Sequence, residues 1–181
     1  MADRGKEGSF TIIFVIMIIS MIIAFFWDSL GPIKNIVHVA LDPSAGALLN
    51  WNLVFGMFVL VFIISLLTTL IQKYATDQET LKELRKEQKI VQAEMKKYKE
   101  HPEKIMELQK KQFEALPKTM KLSMRSIVYT GIPFILLFRW FYDFFDVIGN
   151  PKFFGFLSWF WFYLIFVIVF SSIIKKLMKV V

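Results

Sequence analysis

The sequence predicts an all-α membrane protein. In this prediction a three-helix transmembrane core is joined by an N-terminal accessory span and carries a cytoplasmic antiparallel coiled-coil hairpin. Of the 181 residues, 56% are hydrophobic, above the roughly 45–50% of an ordinary soluble domain. The apolar residues are concentrated in long segments. A charged stretch with helical periodicity separates two of these segments.

The apolar segments are residues 10–27, 48–71, 127–145 and 153–174. A transmembrane helix needs about 20 apolar residues, with a range of about 17–25. Segment 10–27 is longer than the roughly 7–15 residues of a signal-peptide core, and no A-x-A motif follows it, so we expect a retained helix. The predicted divisions are the accessory span 1–28, an outer connection 29–47, the core spans 48–72, 123–146 and 147–181 with its tail, and the hairpin 73–122.

The distribution of lysine and arginine predicts the orientation. Residues 73–125 hold fourteen of the 22 basic residues, and the two connections on the opposite side hold only Lys34 and Lys152. Because cytoplasmic loops are enriched in Lys and Arg, we expect both termini and the hairpin in the cytoplasm of a multi-pass plasma-membrane protein. The five tryptophans, which favour membrane interfaces, all fall toward the outer side in this topology.

The outer connection contains a short amphipathic pattern after Gly31 and Pro32. The spacing predicts a helix lying on the membrane surface, with a structureless loop as the alternative. Its expected polar face carries Lys34, Asn35 and His38. Its expected apolar face carries Ile33, Ile36, Val37, Ala40 and Leu41.

The charged stretch has a heptad pattern typical of a coiled coil. His101-Pro102 predicts a turn between two arms, and Pro117 is expected to end or kink the second arm. The first arm's predicted seam contains Leu81, Leu84, Gln88, Val91, Met95 and Tyr98, and the second arm's contains Ile105, Leu108, Gln112 and Ala115. The excess of basic residues suits ribosomal RNA or anionic lipid, although a solvated, orienting helix face is the simpler explanation.

Polar residues recur at the cytoplasmic ends of the three core spans. This coincidence predicts a hydrated groove open to the cytoplasm, whereas helix packing is the alternative for each residue. The predicted groove residues are Ser65, Thr68, Thr69, Gln72, Ser126, Thr130, Ser171 and Ser172, with Lys73, Arg125 and Lys175 around the mouth.

The third segment contains two charged residues, Arg139 and Asp143. A charge at the bilayer centre costs at least about 2.5–3.5 kcal/mol on insertion scales. Because the two residues are one helical turn apart, the sequence predicts an intramembrane ion pair near the outer interface. A contact between Arg139 and a substrate is the alternative.

The sequence offers little for enzymatic chemistry. There is no cysteine, and the only histidines, His38 and His101, fall on opposite sides of the membrane in the predicted topology. No P-loop, GxGxxG or HExxH motif is present. We therefore expect no catalytic residues, no metal and no cofactor.

From residue 48 to the C-terminus the pattern resembles the YidC/Oxa/Get/EMC superfamily of membrane protein insertases, and most closely its archaeal YidC-like members. The stretches that carry the resemblance are QKYATDQETLKELRKEQK, MKLSMRSIVYTGIPFILLFRWF and SWFWFYLIFVIVFSSIIKKL. The resemblance implies a cytosol-facing hydrophilic groove for nascent transmembrane segments and a coiled coil near the ribosome or a targeting factor. Many members also carry a groove arginine in the first core span, whereas here the basic candidates are Lys73, Arg125 and Arg139.

The expected function is therefore a non-enzymatic insertase or membrane chaperone. The expected partners are nascent membrane proteins, membrane lipids, a ribosome or targeting factor, and a possible partner subunit. An oligomeric ion channel or transporter and a coiled-coil membrane tether are the alternatives. A channel would conduct ions in liposomes, and a tether would tolerate leucine at Ser65, Thr68, Thr69 and Gln72.

Overall fold

The structure, a computed structural model, describes residues 10–98 and 101–180, without the side chains at positions 10 and 123–127. This part of the chain is helical, and its one β-bridge joins Phe153 to Leu157. Its α-helices are α1 (Phe10–Phe25), α2 (Gly31–Leu41), α3 (Ala47–Trp51), α4 (Leu53–Ala75), α5 (Gln78–Lys97), α6 (Pro102–Val147) and α7 (Trp159–Met178). A 3₁₀ turn, Trp27–Ser29, follows α1, and a π-helical turn, Asp42–Gly46, follows α2.

Two of the described helices, α4 and α7, are long and apolar enough to cross a membrane. They pack along each other. Phe58 of α4 contacts Phe162 and Phe166 of α7, with ring centroids 4.9 and 4.3 Å apart. Aromatic edge-to-face contacts of this kind add about 0.5–1.5 kcal/mol beyond the burial of their area.

Helix α6 joins this pair through large aromatic side chains. Phe145 stacks on Trp159 with ring planes 4° apart, and Trp140 and Phe141 are fully buried in the same cluster. Several aromatic residues of the spans therefore lie in the core, whereas Trp51 and Trp161 remain exposed.

The start of α4 differs from the predicted span 48–72. The chain is extended at Asn52, whose side chain caps α4 by accepting a 2.9 Å hydrogen bond from the Phe55 amide. Helix α3 folds back onto α4 so closely that a Cβ at Gly56 would lie 2.6 Å from the Leu48 carbonyl oxygen. Leu48 therefore belongs to a separate short helix, and α4 continues to Ala75.

Helices α1 and α2 both pack against α6. The predicted helix between segments 10–27 and 48–71 is present as α2, and its place on an outer membrane surface stays a prediction. The assignment of its faces was partly wrong. Val37 is buried, Leu41, Lys34 and His38 are half-buried, and the predicted apolar positions Ile33, Ile36 and Ala40 are exposed. The two polar residues turn inward because α6 supplies a carboxylate for them.

Helix α5 packs against the first part of α6. Residues later in α5 meet residues earlier in α6, so the two helices run antiparallel: Leu81 and Leu84 cluster with Leu122, and Gln88 Nε2 donates to Thr119 Oγ1 at 3.4 Å. The predicted seam positions on both arms are buried or half-buried, whereas Phe113 and Ile90 beside them are exposed. Supercoiling of the pair stays a prediction.

Pro117 does not end the second arm. Helix α6 continues for 46 residues, about 70 Å at 1.5 Å per residue, through Pro117 and Pro133. A proline inside a helix removes one backbone hydrogen bond and costs about 3 kcal/mol. Packing on both sides of Pro117, against α5 and against the apolar helices, offsets this cost.

Candidate functional site

The residues predicted to line a groove are distributed over α4, α6 and α7. A cavity of about 150 Å³ lies between these helices, and it brings Thr68 of α4 together with Thr130 of α6. Its other lining residues are apolar or aromatic: Ile64, Leu67, Ile71, Tyr129, Pro133, Phe134 and Leu137. Two of the eight predicted groove residues therefore share one surface.

This cavity presents mostly carbon atoms. The Thr68 hydroxyl donates a 2.7 Å hydrogen bond to the Ile64 carbonyl of its own helix. Such a bond satisfies the hydroxyl within its own helix. The described surface therefore suits an apolar side chain better than an ion.

Ser65 and Thr69 lie elsewhere on α4. Both are enclosed by the protein, and Thr69 Oγ1 donates to the Ser65 carbonyl at 2.7 Å. The Ser65 hydroxyl is buried without a hydrogen-bond partner. Ser65, Thr68, Thr69 and Gln72 lie on one side of α4, but this side of the helix is broad. Thr68 faces the cavity, whereas Ser65 and Thr69 face the interior.

None of the remaining predicted residues whose side chains the structure describes lines the cavity. Gln72 is half-buried, with its backbone carbonyl accepting a 2.7 Å bond from Gln78 Nε2. Ser172 is exposed and donates to the Ile168 carbonyl at 2.7 Å, and Ser171 and Lys175 are half-buried. Lys73 is exposed, 6.0 Å from the Tyr74 ring centroid. The side chains of Arg125 and Ser126 lie outside the described residues.

A second polar site was not predicted from the sequence. It joins α1, α2 and α6 at the end of the molecule that contains Trp27, hereafter the Trp27 end. Its members, the Asp143 cluster, are Trp27, Lys34, His38, Asp42, Trp140 and Asp143. Two features of the sequence could have indicated this site. Asp143 is an acidic residue within the third apolar segment, and Lys34 is the single basic residue of the connection 29–47, which was predicted to lie on the same side.

One oxygen of Asp143 receives three contacts from the N-terminal part of the chain. Trp27 Nε1 donates to it at 2.7 Å, Lys34 Nζ lies 3.1 Å away, and His38 Nε2 lies 3.2 Å away. Trp27 is completely buried, and the Asp143 side chain is 15% exposed. Hydrogen bonds to charged groups contribute about 1.5–3 kcal/mol, so this carboxylate is a strong attachment point for α1 and α2.

Asp42 continues the cluster on the other side of His38. His38 Nδ1 lies 3.2 Å from Asp42, and Trp140 Nε1 donates to Asp42 Oδ1 at 2.7 Å. A protonated imidazole has two N–H donors and could donate to both carboxylates, whereas a neutral ring could donate to only one. The histidine therefore bridges the end of α2 to α6.

Lys34 is the charged donor of the cluster. Its ammonium group lies 3.0 Å from Asp28 as well as 3.1 Å from Asp143. The hydrogen bond to Asp28 and that to Asp143 raise the pKa of Lys34 above its usual value, against the opposing effect of burial. The charged form of Lys34 is thus favoured by the fold.

The predicted ion pair between Arg139 and Asp143 is not formed. Asp143 instead contacts Trp27, Lys34 and His38. The Arg139 guanidinium lies over two aromatic rings, 5.2 Å from the centroid of Tyr142 and 5.7 Å from the centroid of Trp27. The spacing of four residues permitted the pair, but Trp27 approaches Asp143 from the 3₁₀ turn after α1, and Lys34 approaches it from α2. The local sequence did not reveal where these two elements lie relative to α6.

The side chains of the Asp143 cluster are engaged with one another. Among residues 10–98 and 101–180, no group of His, Asp and Glu side chains is arranged to hold a metal ion. A cavity of about 330 Å³ adjoins the Asp143 cluster, lined by His38, Asp42, Asp143 and Asn50 together with apolar residues. The carboxylates there already have histidine, lysine and indole partners.

The comparisons with known proteins give one finding. The model of the integral membrane protein EMC3/TMCO1-like family matches residues 38–180, which is well over half of the chain. Neither the curated proteins nor the solved structures include a match. The matched range contains α4, α5, α6 and α7, whereas α1 lies before it. The chain is therefore a member of the integral membrane EMC3/TMCO1-like family, within the Oxa1/YidC/Get1/EMC superfamily of membrane protein insertases.

Proposed function

We propose that the protein is a non-enzymatic insertase that receives nascent transmembrane segments at the surface between α4 and α6. The cavity that Thr68 and Thr130 share is the observation that supports this function most directly. An α-helix with its side chains is about 10–12 Å across, so a cavity of about 150 Å³ would hold a client side chain rather than a whole helix. The client helix would lie on the open surface beside it.

The rim of the cavity supports this mode of docking. Leu67 and Tyr129 both line it and both remain more than half exposed, at 54% and 53%. Exposed apolar side chains around a small cavity offer van der Waals contacts to an apolar helix, which is the main attraction between helices in lipid. The polar flank of the client would be hydrated at the cytoplasmic side, where unpaired backbone groups would otherwise cost several kcal/mol each.

We also propose how the chain crosses the membrane and which partner its hairpin binds. We place α1, α4, the second half of α6 and α7 across the plasma membrane, with both termini and the α5–α6 hairpin in the cytoplasm. The hairpin region, residues 73–125, carries fourteen basic and nine acidic residues. A net positive hairpin would attract the ribosome or a targeting factor, and its binding would weaken with added salt.

Site-specific photocrosslinking tests the client surface. A photoreactive residue at Thr68 or Thr130 should capture a stalled nascent transmembrane segment. The matched control is Ile63, which lies on the same helix, is 43% exposed and does not line the cavity. Equal capture from Ile63 and Thr68, or none from Thr68 and Thr130 while clients are still inserted, would contradict the proposed docking surface.

A cysteine at Thr68 or Thr130 tests hydration separately. If water reaches this surface from the cytoplasm, a small aqueous thiol reagent should modify the cysteine, and a bound client should protect it. Ile63→Cys, facing away from the cavity, should react only with lipid-soluble reagents. Failure of Thr68→Cys to react with the aqueous reagent would contradict the hydrated groove, although not the apolar docking site.

A further inference from the structure

We propose that Arg139, held between the rings of Trp27 and Tyr142, binds the phosphate of a phospholipid in the leaflet at the Trp27 end. This site is separate from the α4–α6 surface and does not depend on the insertase proposal. Its occupant is a membrane lipid, recognised by the negative charge and the paired oxygens of its phosphate.

Arg139 has no carboxylate partner among the described residues. Arginine stays protonated in proteins, so its charge must be stabilised by a partner. Asp143 is engaged by Trp27, Lys34 and His38. No carboxylate of the described residues forms a salt bridge with Arg139, and its Nε is buried without a hydrogen-bond partner. A charge in an apolar segment is expensive without an anion nearby.

The two terminal nitrogens of the Arg139 guanidinium are available to a ligand. Nε is enclosed without a hydrogen-bond partner, whereas the terminal nitrogens are not enclosed in this way and make no hydrogen bond to the described residues. Their N–H donors can therefore reach an anion. A guanidinium can bind two phosphate oxygens at once through parallel N–H donors, a geometry that lysine cannot match.

The rings of Trp27 and Tyr142 fix the position of the site. Trp27 is fully buried and tied by its indole nitrogen to Asp143 at 2.7 Å, so one wall cannot move without breaking that bond. Cation–π contacts at 5.2 and 5.7 Å favour the charged side chain over both rings. A positioned arginine loses less freedom on binding than a mobile one.

The exposed side chains around Arg139 indicate that the occupant is a lipid. Phe25 and Phe26, which precede Trp27, are 80% and 58% exposed, and Tyr142 is 53% exposed. Exposed aromatic side chains at the end of an apolar helix are typical of a membrane interface. An arginine reaching outward among them meets lipid headgroups, whose phosphates lie at that depth.

Solid-state NMR can measure the contact directly. The chain has four arginines, so ¹³Cζ-labelled arginine gives few signals. The full protein would be placed in phosphatidylglycerol bilayers and its ¹³C–³¹P dipolar dephasing recorded. We expect a dephasing component that is lost in Arg139→Gln and retained in Arg85→Gln, the control on the exposed surface of α5. If Arg139→Gln fails to fold, Arg139→Lys removes the labelled carbon and keeps the charge.

A second bilayer separates a lipid phosphate from a free ion. In galactosyl diacylglycerol bilayers, which have no phosphate, with inorganic phosphate in the buffer, the Arg139 component should disappear. Its persistence there would show a free anion and overturn the lipid assignment. Equal dephasing of the wild type and both Arg139 variants in phosphatidylglycerol would show that Arg139 binds no phosphate. A crosslink from Arg139 to a protein carboxylate, in place of the lipid, would also overturn the proposed site.

Discussion

The indole Nε1 of Trp27 donates a 2.7 Å hydrogen bond to the Asp143 carboxylate, joining the end of α1 to α6 across 116 positions of sequence. Lys34 and His38 reach the same carboxylate oxygen from α2. The family match covers residues 38–180, so His38 and Asp143 lie within it, whereas Trp27 and Lys34 lie before it. The N-terminal helix is thereby attached by specific bonds as well as by apolar packing.

Replacing Asp143 by alanine should destabilise the protein by about 2 kcal/mol or more, because a buried indole N–H loses its acceptor and Lys34 loses one carboxylate. The thermal unfolding midpoint in detergent measures this effect. Asp146→Ala is the matched control, since that carboxylate is exposed and accepts only a 3.3 Å bond from Asn150. Equal midpoints for the two variants would contradict the assigned role of Asp143.

Gly56→Ala should disturb the contact between α3 and α4. The added Cβ would lie 2.6 Å from the Leu48 carbonyl oxygen, and neither backbone can move without shifting its helix. Overpacking of this kind costs about 1–3 kcal/mol. Gly31→Ala, where nothing lies within 4 Å of the new Cβ, should leave the unfolding midpoint unchanged or raise it. An unchanged unfolding midpoint for Gly56→Ala would show that α3 can shift relative to α4.

Leu84→Ala should loosen the base of the α5–α6 hairpin. Leu84 is 6% exposed and packs with Leu81 and Leu122, so its truncation should cost about 2–5 kcal/mol locally. Amide hydrogen exchange along α5 should become faster. Ile90→Ala on the same helix, where the side chain is 59% exposed, should change the exchange little. Identical exchange in the two variants would rule out the packed hairpin base.

Alkaline pH should weaken the attachment of α2. The fold raises the pKa of Lys34 above 10.5, so its contribution is fully present below that pH and is lost as the pH rises through the higher folded value. Stability measured from pH 9 upward in wild type and Lys34→Gln gives the contribution by difference. The gap between them should narrow toward high pH. A gap that widens would mean that the neutral amine is the bound form.

The proposed topology can be tested with single cysteines, because the natural chain has none. An impermeant thiol reagent applied from outside should label Ser44→Cys, which lies in the connection between α2 and α3 and is exposed. Glu103→Cys at the hairpin turn and Lys179→Cys after α7 should stay protected until the membrane is opened. Labelling of Glu103→Cys in intact cells would show that the hairpin lies outside and that the proposed orientation is wrong.

The helical elements could be predicted because each is a local property of the sequence. The apolar lengths predicted α4 and α7, the amphipathic pattern predicted α2, and the His101-Pro102 step predicted the start of α6. Boundaries were less accurate where tertiary contacts decide them. The break at Asn52 depends on α3 packing over Gly56, and the continuity of α6 through Pro117 depends on support from neighbouring helices.

For the candidate sites, the sequence by itself determined which polar residues lie near one another along a helix, and so it grouped Ser65, Thr68 and Thr69. Only the tertiary structure decided that Thr68 shares a cavity with Thr130 while Ser65 and Thr69 face the interior. The same limit explains Asp143. Helical periodicity offered Arg139 as its partner, but Trp27 and Lys34 come from more than a hundred residues away, and only the packing of α1 and α2 on α6 brings them to the carboxylate.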